Sequence, residues 1–539
     1  MPKRKTSSKL NIEEGHGHVE PMRKTASLCP KCLKTISAEI FKRNGKVWIA
    51  KKCPEHGEFE DLYFGDYDMY KRFEKWAHAG KGIENPVIDK ENPVCPQDCG
   101  MCKLHKSHTA LANIVVTNRC DLTCFYCFFY AKAMGYVYEP TLDQIRQMLR
   151  TLKAQKPVEP NAIQLTGGEP TLREDIIEII DMCKEEGFDH VQLNTNGIRI
   201  ANEPEFAERV KKAGVNTLYL SFDGVSPKTN PKNHWEIPKI LENCKKAEIG
   251  VVLVPTVINK INDHELGAIL KFAIKHIDVV RGVNFQPVSL VGRITKADLK
   301  KFRITIPDVA ERIEKQTSGI ITKDDFYPVP TVTAITHFVE AMSKKPKYEL
   351  TSHFACGSAS YLFIDKDGSI IPIGRFVDIE GLMKYLDEKA VELKSKPKGW
   401  VLLKMLAKIS SFIDKKKQPK NLNLTKLLIN VLKKKDYAAL GDMHHKSLMV
   451  SAMHFMDLYN YDVERVKNCC IHYAQPDGRI VPFCTFNVIP EWYRDKIQKK
   501  YSITITQWER RQKRKLNTDL YKRDIEKLKN DPLYNKYYG

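Results

Sequence analysis

Three cysteines constrain this chain more than any other feature. Cys120, Cys124 and Cys127 follow directly on Ile114-Val115-Val116-Thr117, with Tyr126 just before the third. The β-branched run predicts a strand that ends where the thiols begin. Three thiolates at this spacing can hold three irons of a 4Fe–4S cube and leave the fourth iron without a protein ligand. That open iron suits a small molecule carrying an amine and a carboxylate.

Length and composition set the frame. A chain of 539 residues predicts two to four domains. Fifteen cysteines, several in Cys-x2-Cys groupings, suit metal sites in a reducing compartment better than disulfides. The start, Met1-Pro2-Lys3-Arg4-Lys5, has no apolar stretch of the kind a signal peptide needs, and Val251–Val254 is far too short to span a bilayer. The expectation is a cytoplasmic protein. A net charge of +21 calls for an anionic partner.

Six segments are expected. Residues 1–25 read as a disordered basic tail. Residues 26–65 form a metal module: Cys29-Pro30-Lys31-Cys32 and Cys53-Pro54-Glu55-His56-Gly57 flank a hairpin centred on Asn44-Gly45. Cys29, Cys32 and Cys53 are three ligands. His56 has the spacing of a fourth, which a distant cysteine could also supply. Zinc and iron both suit such a rubredoxin-like or zinc-ribbon site. Residues 66–110 are a linker holding Cys95, Cys99 and Cys102, the same spacing as the 120–127 set but in a Pro/Gly loop with no strand before it. This set is assigned to an auxiliary cluster, completed by His105 or a remote cysteine.

Residues 111–330 alternate strands and helices. Strands are expected at 113–117, 162–166, 191–195, 217–222, 250–257 and 282–287, and Thr171-x-x-Glu174 reads as a helix capping box. Six βα units in series predict an α/β fold, a parallel sheet curled into a partial (β/α)6 TIM barrel. Cys183 and Cys244 lie on apolar helix faces and are expected to be plain core. Residues 331–490 contain Cys356, Cys469, Cys470 and Cys484 around two Asp-Gly hairpins and are expected to form an auxiliary iron–sulfur domain. It is interrupted near 400–435 by two apolar helices ending in Lys415–Lys417 and Lys433–Lys435. Such helices suit a membrane surface, a greasy substrate channel or a simple covering role. Residues 491–539 are a basic helical tail.

The 120–127 set resembles the signature of the radical S-adenosylmethionine (SAM) enzymes. In that superfamily the open iron chelates SAM, and an electron from the cluster, itself supplied by an external donor, splits it into methionine and a 5′-deoxyadenosyl radical. The resemblance implies a cofactor site built from Tyr126, from Gly167-Gly168-Glu169 for the SAM amino group, from Asn196, Ser221 and Asp223 for ribose or carboxylate, and from Val254–Val257, with Val257 walling the adenine.

A finer resemblance spans most of the chain. The sets around Cys29, Cys53, Cys95–Cys102 and Cys124-Phe125-Tyr126-Cys127-Phe128-Phe129-Tyr130-Ala131 look like an archaeal group containing tetraether lipid synthases and radical methylases of the methanopterin precursor. The resemblance implies three 4Fe–4S clusters and one mononuclear iron or zinc. With the cation-capped helices and the net charge, the reading favoured is coupling of archaeal diether lipid chains: an anionic phospholipid substrate, peripheral membrane contact and no nucleic acid. The alternative is methylation of a pterin.

Overall fold

The structure is a computed structural model. It describes residues 19–127, 129, 134–291, 298, 301–434 and 447–539. The expected tail at 1–18 lies outside the described residues, as do Phe128, Tyr130 and Ala131 of the cysteine motif and Lys435. The side chains of Lys433 and Lys434 are likewise not described.

The first unit is a four-stranded antiparallel sheet of β1 (Glu20–Leu28), β2 (Thr35–Arg43), β3 (Lys46–Cys53) and β4 (Gly57–Phe64), paired in that order. Asn44 and Gly45, with φ of 51° and 69°, make the two-residue turn between β2 and β3 as expected. The unit starts earlier than the sequence suggested. Residues 20–25 belong to β1 because they pair with β2 from Glu20↔Lys42 onward.

The main sheet contains β5 (Leu111–Thr117), β7 (Ala162–Gly167), β8 (His190–Thr195), β9 (Val215–Ser221), β10 (Gly250–Val254) and β12 (Val280–Pro287). These are the six expected strands, all parallel. The short β6 (Tyr136–Val137) and β11 (Thr256–Val257) lie beside this series, β11 pairing with β12. Helices of 10 to 12 residues connect the strands. Cys183 and Cys244 are fully buried among them, as expected.

The parallel run is longer than six. The C-terminal third supplies β13 (Tyr327–Pro328), β14 (Gly357–Ile364), β15 (Ile370–Pro372), β16 (Ser447–Met453), β17 (Ile471–Ala474) and β18 (Ile480–Pro482). Of these, β16 joins β12 and β17 joins β5, both in parallel. Eight parallel strands therefore run in the order β17-β5-β7-β8-β9-β10-β12-β16, and β14 and β18 turn antiparallel at the flanks. All eight contribute residues to one cavity, so the sheet is rolled around it.

Side chains alternate across this wall, as strand geometry requires. Ile163 and Leu165, Val191 and Leu193, Leu218 and Leu220, and Val283 and Phe285 face the helices and are fully buried. Their neighbours Gln164, Asn194, Tyr219 and Asn284 face the cavity. The predicted capping box is absent. The Thr171 hydroxyl bonds Glu169 instead, and the helix Ile176–Glu185 starts at Asp175 with no side-chain cap. The Thr171 hydroxyl donates to the buried Glu169 carboxylate, a charge-assisted bond stronger than a neutral cap.

The helices of the 400–435 insertion, Lys398–Lys408 and Leu424–Lys434, bury part of their apolar surface in small cores of their own and leave Trp400 and Leu403 exposed. Val401 and Met405 pack on Phe338 and Tyr385, and Leu424 packs with Phe363 and Phe376. Among the described residues no helix is long and apolar enough to cross a membrane. The tail contains β19 (Ile503–Thr504), paired with β6, and short helices, the last of which packs on the helix Ile237–Lys246.

The first unit is tied to the C-terminal third by Asp462, whose side chain is fully buried. It accepts from Tyr63 Oη at 2.7 Å, Thr25 Oγ1 at 2.7 Å and the Arg23 guanidinium. Burial alone would raise the Asp462 carboxyl. The Arg23 charge and these bonds outweigh burial and hold it well below the usual carboxylate range. Asp462→Ala would strand the Arg23 charge and is expected to destabilise the protein by about 3–5 kcal/mol, read as a lower denaturant midpoint of the anaerobic holoprotein at pH 7. A carboxyl with a depressed folded pKa contributes stability above its unfolded value of about 4 and loses it as pH falls through the folded value. The difference between parent and variant is therefore expected to shrink only in strong acid.

Candidate active site

The mouth of the cavity lies at the C-terminal ends of the parallel strands. Cys120, Cys124 and Cys127 all line it, with Tyr126, Gly167, Gly168, Glu169, Asn196 and Ser221. Burial pushes the Cys124 thiol up to about 11, an effect that the nearby Lys232 charge opposes, and burial also raises Cys120 well above its ordinary value.

Backbone contact places the carboxylate beside the thiols. The Gly168 N–H donates to Thr117 O at 2.8 Å, and the Glu169 N–H donates to Arg119 O at 2.7 Å. The end of β7 thus lies directly on the segment entering the cysteine loop. A Cβ on Gly167 would stand 2.0 Å from Thr117 O, and one on Gly168 2.0 Å from Arg119 O. Gly167 also has φ +141°, which side-chain-bearing residues avoid. Both glycines are dictated by this approach of two chain segments.

Glu169 is 1% exposed. Its Oε1 accepts from the Thr171 and Thr195 hydroxyls, each at 2.6 Å, and its Oε2 from the Asn196 N–H at 2.8 Å. Asn196 Nδ2 donates to Asp121 Oδ1 at 2.6 Å. Burial, then the adjacent Glu169 charge, pushes Asp121 up to about 7. Two neighbouring buried carboxylates favour a cation between them, which fits an ammonium group.

Asp223 stands behind this front. It meets Tyr126 Oη, Lys232 Nζ at 2.9 Å and the Thr256 N–H at 2.9 Å. Lys232 lines the cavity and was not signalled by any motif. Val257 is fully buried in the core, and Val254 and Thr256 line the cavity in its place.

Arg119, next to Cys120, is locked by the tail. It pairs with Glu139 at 2.7 Å and Asp519 at 2.8 Å and lies 4.9 Å from the Trp508 ring. The Tyr521 N–H donates to Asp121 O. The tail is thus part of the site's support.

Two further thiol groups flank the cavity. Cys95, Cys99 and Cys102 are electrostatic neighbours, and burial pushes Cys95 up to about 12. Cys356, Cys469 and Cys484 influence one another, and Arg465 Nε donates to Cys356 Sγ at 3.3 Å. Cys470 adjoins Cys356. Tyr461 senses Cys95, Cys99 and Cys484 together, so it lies between the two groups. His105, an expected partner for Cys95–Cys102, has Nε2 within 2.8 Å of Cys469 O and 3.0 Å of His472 Nε2.

In the first unit Cys29, Cys32, Cys53 and His56 bring four ligand atoms within 4.8 Å of one another. His56 Nδ1 is 3.7 Å from Cys29 Sγ and 3.5 Å from Cys53 Sγ. This is the compact set a single tetrahedral ion needs.

Two family models match the chain: the radical SAM superfamily over residues 114–273, and an HMPTM N-terminal zinc ribbon domain over residues 21–65. The 7,8-dihydro-6-hydroxymethylpterin dimethyltransferase of Methanocaldococcus jannaschii is 48% identical over 502 residues, which cover 91% of this chain and 98% of that protein. The chain belongs to the radical SAM superfamily and to the family of this dimethyltransferase. A probable GTP 3′,8-cyclase of the same organism is 29% identical over 39% of this chain and 68% of that protein. Among solved structures, the Escherichia coli radical SAM enzyme HemN, a coproporphyrinogen III oxidase, aligns with TM-score 0.30 and 14% identity over 63% of this chain and 90% of that one.

Membership in this family overturns the expectation of tetraether lipid synthesis, with its anionic phospholipid substrate and membrane contact. The dimethyltransferase, similar along nearly its whole length, acts on a pterin. The insertion helices that suggested a lipid channel bury Val401, Met405 and Leu424 in local cores, while Trp400 and Leu403 stay exposed.

For a radical SAM protein this site predicts that Cys124→Ala abolishes 5′-deoxyadenosine formation from SAM and reductant, measured chromatographically. Persistence of that product would move cleavage to Cys95–Cys102.

Proposed function

We propose that the protein is a radical SAM methyltransferase acting on a reduced 6-hydroxymethylpterin. The observation that carries the reading is the wall of the cavity. Asn113, Gln164, Asn194, Asn284 and Gln286 line it on four strands, with Tyr219 and Ser221 between them. Asn113, Gln164 and Gln192 are register partners on β5, β7 and β8. Gln164 Nε2 donates to Asn113 Oδ1 at 2.9 Å, and Gln192 donates to Gln164. Asn284 donates to Tyr219 Oη and accepts from Ser451 Oγ at 3.0 Å.

Carboxamides both donate and accept, which matches the alternating edge of a pterin. On the β16–β17 side the wall is aromatic: Phe455, Tyr473 and Phe483, with Phe455 and Phe483 stacked at 4.0 Å. A flat heterocycle suits such a slot. An alkyl chain offers no donor or acceptor to the carboxamides that face the cavity.

Cys120, Cys124 and Cys127 hold the SAM-binding cluster. One SAM bound there would supply the radical that takes a substrate hydrogen, leaving as methionine and 5′-deoxyadenosine, and a second SAM would supply the methyl group and leave as S-adenosylhomocysteine, with two electrons in all from the reductant. Glu169, with Asp121 behind Asn196, receives the ammonium group. Lys232 offers its charge to the carboxylate end, and Asp223 with Tyr126 fixes Lys232. Ser221, Val254 and Thr256 lie along the remaining edge. Cys95, Cys99 and Cys102 hold one auxiliary cluster, and Cys356, Cys469 and Cys484, with Cys470 adjoining, surround a second. Cys29, Cys32, Cys53 and His56 hold one zinc. The sheet rolled about the cavity serves as a partial barrel, extended by β16 and β17 at its two flanks. Its electron donor is external.

Anaerobic incubation with SAM, reductant and 7,8-dihydro-6-hydroxymethylpterin is expected to yield methylated pterin by mass spectrometry. Formation of 5′-deoxyadenosine with no methylated pterin would overturn the substrate. Asn284→Leu is expected to raise the pterin KM about tenfold, the equivalent of about 1.4 kcal/mol of lost hydrogen bonding, with SAM cleavage retained. About twelve irons per chain are expected from three cubes, and a count near four would remove the auxiliary clusters.

A further inference from the structure

A second group of metal-ligating side chains lies outside both the cavity and the zinc ribbon. His78, just past the helix Tyr67–Glu74, His337 on the helix Thr333–Ser343, and Glu349 bring their ligand atoms within 4.8 Å of one another. The His337 Nε2 to Glu349 Oε1 distance is 3.6 Å. A tetrahedral ion with nitrogen and oxygen ligands near 2.0–2.1 Å needs ligand-to-ligand edges of about 3.3 Å. Small rotations of the two rings therefore suffice.

The set is prepared for an ion in three ways. Glu349 is 2% exposed, and its Oε2 has no hydrogen-bond partner among the described residues. A buried carboxylate oxygen without a donor is costly, and a bound cation removes that cost. His337 Nδ1 lies 2.8 Å from Asp387 Oδ1, which fixes the ring and leaves Nε2 for a metal, the carboxylate–histidine–metal arrangement. The His78 ring meets the His337 ring edge-on at 5.0 Å and has no hydrogen-bond partner among the described residues. The Glu349 N–H donates to His108 Nε2 at 2.8 Å, which holds the carboxylate in place.

One cation already stands nearby. Lys81 Nζ is 3.6 Å from Glu349 Oε1, and it is also paired with Glu340. Oε2 remains for another ligand.

We propose that His78, His337 and Glu349 bind one divalent transition-metal ion, zinc, with the remaining position taken by water. The ion clips the 66–110 segment, which carries Cys95, Cys99 and Cys102, onto the helices of the C-terminal third. It is a structural site separate from the zinc ribbon.

The test is metal content. The parent, His78→Ala and Glu349→Gln are purified anaerobically, equilibrated with excess Zn2+ and desalted. Elemental mass spectrometry is expected to show one zinc fewer per chain in each variant than in the parent, with iron content unchanged. His78 is half-exposed on a loop, so its removal is the change least able to damage the fold. Zn2+ is also expected to raise the melting temperature of the parent above that of the metal-depleted protein by more than it does for His78→Ala. Equal zinc in all three proteins would overturn the site and leave a proton-linked His337–Asp387–Glu349 network only. Neither measurement involves the pterin, so the result is independent of the proposed activity.

Discussion

Two backbone hydrogen bonds organise the active site: Gly168 N–H to Thr117 O and Glu169 N–H to Arg119 O. They hold the end of one strand against the root of the cysteine loop, so that the carboxylate and the thiols open on the same cavity. No side chain could replace this contact, because at both glycines a Cβ would fall within 2.0 Å of a carbonyl oxygen. The same contact turns Thr171 and Thr195 toward Glu169 and diverts Thr171 from helix capping. Local structure gives way to the needs of one buried charge.

The C-terminal third completes the scaffold. Its strands β16 and β17 are only 17 residues apart in sequence, from 454 to 470, yet they extend opposite flanks of the parallel run. The segment between them therefore crosses the open side of the rolled sheet. It carries Asp462, Arg465, Cys469 and Cys470 and meets the zinc ribbon through Asp462, Tyr461 and Leu458. One crossing segment thus brings thiols beside the cavity and fastens the N-terminal unit.

Much of this was legible. Buried apolar positions at every second residue marked five of the six central strands to within two residues, while the expected strand 250–257 divides into β10 and the separate β11. The Asn44-Gly45 turn and the Cys29–His56 set were readable because each depends on a few adjacent residues. Val257 was misjudged, since alternation sends Val254 and Thr256 inward and Val257 into the core. The lipid reading failed for a related reason. Apolar helices were visible at 400–435, but what covers them, Phe338, Tyr385 and Phe363, is distant in sequence.

The polar wall was written in the sequence as Gln164-Leu165-Thr166, Gln192-Leu193-Asn194 and Asn284-Phe285-Gln286, a polar residue at every second position of buried strands. By itself the sequence determined the set of Cys29, Cys32, Cys53 and His56, the central parallel strands and the two glycines, because these rest on local spacing and periodicity. Only the tertiary structure decided that the polar positions converge on one small cavity, that Lys232 and the tail support the cysteine loop, and that His78 meets His337 and Glu349. Those groups are separated by tens to hundreds of residues, and nothing short of the folded chain's packing brings them within bonding distance.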